Sequence, residues 1–135
     1  MADREWDVVL YGATGFTGKQ AVRYFAEHAP ADLKWAIAGR NQAKLEAIRS
    51  GLGRVDVGLI VADSDDVPAI ESMVARTRVI ASTAGPFALY ADKLVEVCVS
   101  YGVHYVDITG ETPWVRTLID RFHDKASADK TRIVP

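Results

Sequence analysis

The sequence predicts an α/β fold: one doubly wound parallel sheet of about six strands, in the order 3-2-1-4-5-6, with helices on both faces. Three observations predict it. Short apolar, β-branched runs alternate with amphipathic segments along the whole 135-residue chain, as expected of parallel strands joined by helical crossovers. The first run, Asp7-Val8-Val9-Leu10-Tyr11, passes into Gly12-Ala13-Thr14-Gly15-Phe16-Thr17-Gly18, three glycines spaced three apart, and then into helix-compatible sequence. A second strand, Leu33 to Gly39, closes a βαβ unit of about 30 residues, and its crossover should be right-handed.

The remaining elements follow in order. The first helix is expected over roughly Gly18 to Glu27, with Val22, Phe25 and Ala26 on its inner face and Ala29-Pro30 as its stop. Asn41 can cap a second helix that carries Leu45 and Ile48 and ends at Gly51-Leu52-Gly53. The third strand is Val57 to Val61. The polar stretch Asp63-Ser64-Asp65-Asp66 holds several candidate caps for a helix with Ile70, Met73 and Val74 inward. A fourth strand, Arg78 to Thr83, ends in the turn Ala84-Gly85-Pro86-Phe87. One longer helix should follow, with Leu94, Val95, Cys98 and Val99 on a stripe and Gly102 as its stop. The fifth strand is Val103 to Ile108. Thr112-Pro113 reads as an N-cap and first-turn proline for a helix carrying Leu118, Ile119 and Phe122, and Thr131 to Val134 starts a sixth strand.

Strand, glycine-rich turn and helix in that order make a phosphate cradle. One glycine permits the tight turn, one lets backbone approach a pyrophosphate, and one lets the helix pack close to the strand. The amides at the helix start and the helix dipole then favour an anion. Gly12, Ala13, Thr14, Gly15, Phe16, Thr17 and Gly18 are therefore the candidate dinucleotide loop, in a Rossmann-type NAD(P)-binding domain. An NAD site commonly has a carboxylate at the end of the second strand, for the ribose hydroxyl. Here that place holds Gly39-Arg40-Asn41. A guanidinium can pair with a 2′-phosphate that a carboxylate would repel, so NADP is expected over NAD, unless Arg40 is simply a solvated surface cation. Asp63 either accepts from the adenine amino group or caps the next helix. Ser82, Thr83, Ala84, Gly85 and Pro86 end the fourth strand where the nicotinamide side should lie, although the proline could serve only to fix the turn.

Catalytic candidates are few. No tyrosine has a lysine four residues on, Tyr90 and Lys93 being three apart, which argues against an extended short-chain reductase or epimerase. His28, His104 and His123 are scattered and read as structural or exposed, with no metal-ligand spacing. Asp107 and Glu111 flank Thr109-Gly110, either to touch substrate or to cap the following helix. The single cysteine, Cys98, sits on an apolar stripe and reads as core; lacking a partner, it suits a reducing compartment, so the cytoplasm is expected. A composition of 49% hydrophobic and 25% charged residues with a net charge of -2 fits one globular domain over residues 1–135 and a small-molecule partner. It does not recommend a nucleic-acid or anionic-membrane surface. Met1-Ala2-Asp3-Arg4-Glu5 is too charged for a signal peptide, and no apolar run approaches the roughly 20 residues of a membrane span.

Taken together, the glycine loop, Ala38-Gly39-Arg40-Asn41, Thr83-Ala84-Gly85-Pro86-Phe87 and Tyr105-Val106-Asp107-Ile108-Thr109-Gly110-Glu111 resemble the saccharopine dehydrogenase-like oxidoreductases, with the mycobacterial trans-acting enoyl reductases among the similar members. The resemblance covers essentially the whole chain. It implies a nicotinamide positioned for hydride transfer to a C=N, C=C or C=O group, with a second domain that binds substrate and often mediates a homodimer. Members are considerably longer, so a fragment lacking that domain is expected, inactive alone even where cofactor binding survives. The alternative from another class is a non-catalytic module that senses NADPH for a partner.

Overall fold

The computed structural model describes residues 3–135; Met1 and Ala2, the start of the charged N-terminal stretch, lie outside them. Six strands form a single parallel sheet in the order β3-β2-β1-β4-β5-β6, the predicted winding. They are β1 (Trp6–Tyr11), β2 (Trp35–Gly39), β3 (Gly58–Val61), β4 (Thr77–Ser82), β5 (His104–Asp107) and β6 (Ile133–Val134). The helices are α1 (Phe16–His28), α2 (Gln42–Leu52), α3 (Val67–Ala75), α4 (Phe87–Tyr90), α5 (Asp92–Tyr101) and α6 (Thr112–Asp129).

Alternation along the strands divides the core in two, because successive side chains face opposite sides of a sheet. Val9, Tyr11, Ala36 and Ala38 join the apolar stripes of α3, α5 and α6 on one side. Leu10, Trp35 and Ile37 meet Val22 of α1 and Leu45 of α2 on the other. The second layer is incomplete. Its two helices cover the β1 to β3 half, while Val106 and Val134, register partners on β5 and β6, remain 38% and 55% exposed. Arg4 fastens the first layer from the N-terminal side, donating to the carbonyls of Val74 and Ala75 at 3.2 and 2.8 Å and of Tyr101 at 3.2 Å. A cation there suits the negative ends of α3 and α5.

Several boundaries differ from the sequence reading. α1 begins two residues early, directly on the glycine loop with Gly15 as its N-cap. Asp66 is the cap of α3, accepting from the Ala69 amide at 3.1 Å. The single helix expected after β4 is broken at Ala91 into the one-turn α4 and the longer α5. Thr112 is the first helical residue of α6 rather than its cap; Glu111 takes the cap position without bonding to that helix through its side chain. Ile119, expected inward, is 46% exposed. The stops at Gly53 and Gly102 are left-handed, at φ +66° and +67°, where a Cβ is unfavourable.

Candidate functional site

Where β1 has β2 on one side and β4 on the other, the chain leaves the sheet in opposite directions and opens a crevice beyond the carboxyl ends of the strands. Its volume is 440 Å³. One wall is the glycine loop, through Gly12, Thr14, Gly15, Phe16 and Thr17; the other is Thr83, Ala84 and Gly85 with Tyr90 of α4. Gly39, Arg40 and Ser64 line the end nearest β2 and β3. Backbone bonds tie the walls together: Thr83 donates through its amide to Tyr11 O at 3.0 Å and through Oγ1 to Gly12 O at 3.3 Å, and Gly12 donates to Ala38 O at 3.0 Å.

The three glycines are held to different requirements. Gly12 has φ +83°, and a Cβ on it would stand 2.9 Å from the Ala84 amide. At Gly18 a Cβ would fall 2.0 Å from the Gly12 carbonyl oxygen, so the close seating of α1 on the loop depends on its absence. Gly15 is different: its nearest protein atom to such a Cβ is at 3.5 Å, ordinary contact. The fold does not demand a glycine there, and the bare backbone faces the crevice. Around it, the amides of Phe16, Thr17 and Gly18 make no hydrogen bond among the described residues, no side chain caps α1, and its first turn holds no acid. Orphan donors at a helix start are a ready anion site.

Arg40 is exposed, lines the crevice and makes no ion pair among the described residues. Close by, Tyr11 donates its hydroxyl to Ala62 O at 3.0 Å. Burial, with the nearby Asp63 and Asp65 charges, pushes its phenol up to about 12, so it stays protonated as a fixed donor.

Of the other residues singled out in the sequence, Ala13 is fully buried and spends its amide on Ala38 O at 3.2 Å. Asn41 caps α2, accepting from Lys44 N at 3.0 Å. Asp63 accepts from Asp65 N at 3.0 Å, a local turn rather than a helix cap. Ser82 is buried and accepts from Ala84 N at 3.3 Å, while Pro86 is exposed just before α4. These five, with Gly18, do not line the crevice. Tyr11, Gly39, Ser64 and Tyr90 do, and were not singled out as binding residues. The first three adjoin predicted positions, and strand alternation could have found Tyr11. Tyr90 depends on the break at Ala91, which the apolar periodicity does not reveal.

A second polar cluster follows β5. Asp107 accepts from the Tyr105 hydroxyl at 2.6 Å and from Thr109 N at 2.9 Å, and burial pushes its carboxyl above the usual range. Glu111 accepts from Phe87 N at 2.6 Å and Ala88 N at 3.1 Å, bonds that hold its carboxyl below that range. Glu111 thus caps α4 and not the helix it precedes, and Asp107 caps neither. Burial pushes the Cys98 thiol far up, leaving it a core residue. His28 bonds to Tyr24 O at 3.0 Å, and His104 accepts from Arg132 N at 3.0 Å. His123 lines a separate 260 Å³ apolar groove between α6 and β6 that shares no residue with the crevice. No group of three or more His, Cys, Asp or Glu among the described residues could hold a metal, and no described helix is long and apolar enough to cross a membrane.

Comparison with known proteins agrees with this geometry. The family described as the saccharopine dehydrogenase NADP binding domain matches residues 8–134. Trans-acting enoyl reductases of Mycobacterium bovis and Mycobacterium tuberculosis are 40% identical over 135 residues, 98% of this chain and 32% of theirs. That of Mycobacterium ulcerans is 39% identical over 135 residues, with the same coverage. The chain thus spans about a third of the length of these relatives. Among solved structures, apo saccharopine dehydrogenase (L-Glu forming) from Saccharomyces cerevisiae superposes with a TM-score of 0.70 at 22% identity, over 84% of this chain and 24% of that one. The NADPH-dependent quinone oxidoreductase of Escherichia coli, complexed with NADPH, gives 0.60 at 19%, over 74% and 35%. These two similarities speak to the fold.

Proposed function

Because this chain belongs to the family of saccharopine dehydrogenase NADP-binding domains, we propose that the crevice between the glycine loop and the β4 loop is where the dinucleotide lies. The observation that carries it is Gly15: a glycine that packing does not require, beside unpaired α1 amides and facing the crevice. The Phe16 and Thr17 amides donate to the pyrophosphate, and Thr14 and Thr17 close its sides. Arg40, with Asn41 beside it, pairs with the 2′-phosphate. Thr83, Ala84 and Gly85 bring backbone and small side chains against the nicotinamide half, with Ser82 and Pro86 shaping that turn and Ala13 and Gly18 seating the loop. Asp63 stays within reach of the adenine end.

The reduced cofactor supplies a hydride when bound. These residues bind and orient it and keep one wall of the crevice closed. As the enoyl reductase relatives suggest, the acceptor is an enoyl C=C or a related C=N or C=O group. It is held mainly by a further domain, for which the longer relatives have room, in an oxidoreductase that works in the cytoplasm as a homodimer. Residues 1–135 form the cofactor domain of that arrangement.

Calorimetric titration with NADPH and NADH tests the reading, using the unmodified chain and Arg40→Ala. A charge-assisted pair contributes about 1.5–3 kcal/mol, so the variant should lose roughly 10- to 100-fold in NADPH affinity. NADH affinity should not change. An unchanged preference for NADPH in the variant would sink the Arg40 assignment, and binding of neither cofactor by the unmodified chain would sink the crevice.

A further inference from the structure

Glu111 stands in the N-cap position of α6, yet its carboxylate reaches back across 24 residues of sequence to the first two amides of α4, Phe87 at 2.6 Å and Ala88 at 3.1 Å. Each oxygen takes one amide. The carboxylate is itself held in place, because Thr109 Oγ1 accepts from Glu111 N at 3.0 Å and donates to Glu111 Oε2 at 3.3 Å. Thr109 is fixed in turn by its backbone N–H, which donates to Asp107 Oδ1, and the buried Tyr105 hydroxyl anchors that carboxylate to the sheet. An unbroken set of hydrogen bonds therefore runs from the core of β5 to the start of α4.

A four-residue helix has no stability of its own, since nucleation costs more than one turn returns. α4 rests on two anchors: Phe87, buried and stacked on Trp114 at 6.3 Å between ring centroids, and the Glu111 carboxylate. What it carries into the crevice is Tyr90, and Gly85, two residues before the helix, lines the same wall. Glu111 does not line the crevice. Arg40 follows β2 and this wall follows β4, on opposite sides of β1, so the wall faces the half of the ligand remote from the 2′-phosphate.

We propose that Glu111 is a positioning residue for the cofactor crevice: by gripping α4 through the Phe87 and Ala88 amides, it sets the wall of Gly85 and Tyr90 against which the nicotinamide half lies. The inference rests on the dinucleotide reading of the crevice.

The test compares two ligands, NADPH and adenosine 2′,5′-bisphosphate, which carries the adenosine half alone. Losing charge-assisted bonds at the wall, Glu111→Ala should bind NADPH about tenfold more weakly, with the bisphosphate unchanged within about twofold. Glu111→Gln, whose amide oxygen can still accept one of the two bonds, should fall between, and it carries the comparison should the alanine variant not fold. Equal weakening of both ligands would show a general structural role and overturn the inference, as would NADPH affinity that neither variant changes. If the unmodified chain binds the bisphosphate but gains nothing from the nicotinamide half, the wall has no such role and the adenosine site stands. Failure to bind either ligand would remove the dinucleotide reading and this inference with it.

Discussion

The glycine loop shows how one residue type answers to three different constraints. Gly12 and Gly18 are fixed by protein atoms, the first by its left-handed φ and the Ala84 backbone, the second by the Gly12 carbonyl. Gly15 is not. Gly18→Ala should therefore be strongly destabilising or prevent folding, because the obstructing atoms are backbone and cannot rotate away. Gly15→Ala should cost about 1 kcal/mol or less in urea unfolding, the scale of an N-cap change, while lowering NADPH affinity at least about tenfold. If Gly15→Ala binds NADPH normally, the open backbone there is not where phosphate approaches. The spacing alone pointed to three glycines sharing a turn, an open backbone face and a helix contact. Assigning those roles needed the distances to Ala84 and Gly12, which are long-range or through-turn contacts invisible in a linear pattern.

At the level of elements, side-chain size is matched across neighbouring strands. The Trp6 indole of β1 extends over Ala36 of β2 to Gly58 of β3, and a Cβ on Gly58 would stand 2.4 Å from the ring and 2.9 Å from the Ala36 Cβ. Gly58→Ala should destabilise the sheet by about 1–3 kcal/mol, as overpacking does. Combined with Trp6→Ala, it should cost less than the two changes added, because removing the ring also removes the clash that the new Cβ meets; strict additivity in denaturant titrations would show that the ring does not set the limit. Strand order, the α2 cap at Asn41 and the stops at Gly53 and Gly102 were legible because each rests on local chemistry: alternation, a side-chain acceptor, a left-handed glycine. The break between α4 and α5 and the displaced role of Glu111 were not. Both are settled by contacts across about twenty residues or more, Phe87 with Trp114 and Glu111 with α4, and the helical stripe of Leu94, Val95 and Cys98 reads the same with or without the break.

Across the whole molecule, the crevice belongs to the folded state alone, since its walls come from segments about 70 residues apart in sequence. NADPH at about 100 times its Kd should then add about 2.7 kcal/mol of stability and raise the melting temperature by several degrees in a thermal scan. No rise at saturating NADPH would mean that the ligand does not distinguish folded from unfolded chain. The uncovered valines of β5 and β6 leave that half of the sheet apolar and open, whereas the β1 to β3 half is enclosed by α1 and α2. The position of β1 has a further consequence for how the chain comes together during synthesis. Its first neighbour, β2, follows closely, but its second, β4, begins at Thr77. A nascent chain can close the βαβ unit early and still lack the opposite wall, so the glycine-loop backbone proposed to take the phosphates is in place before there is any crevice to confine a ligand. Cofactor can act as a template only for the late step, when β4 docks and Thr83 fastens to the loop it faces.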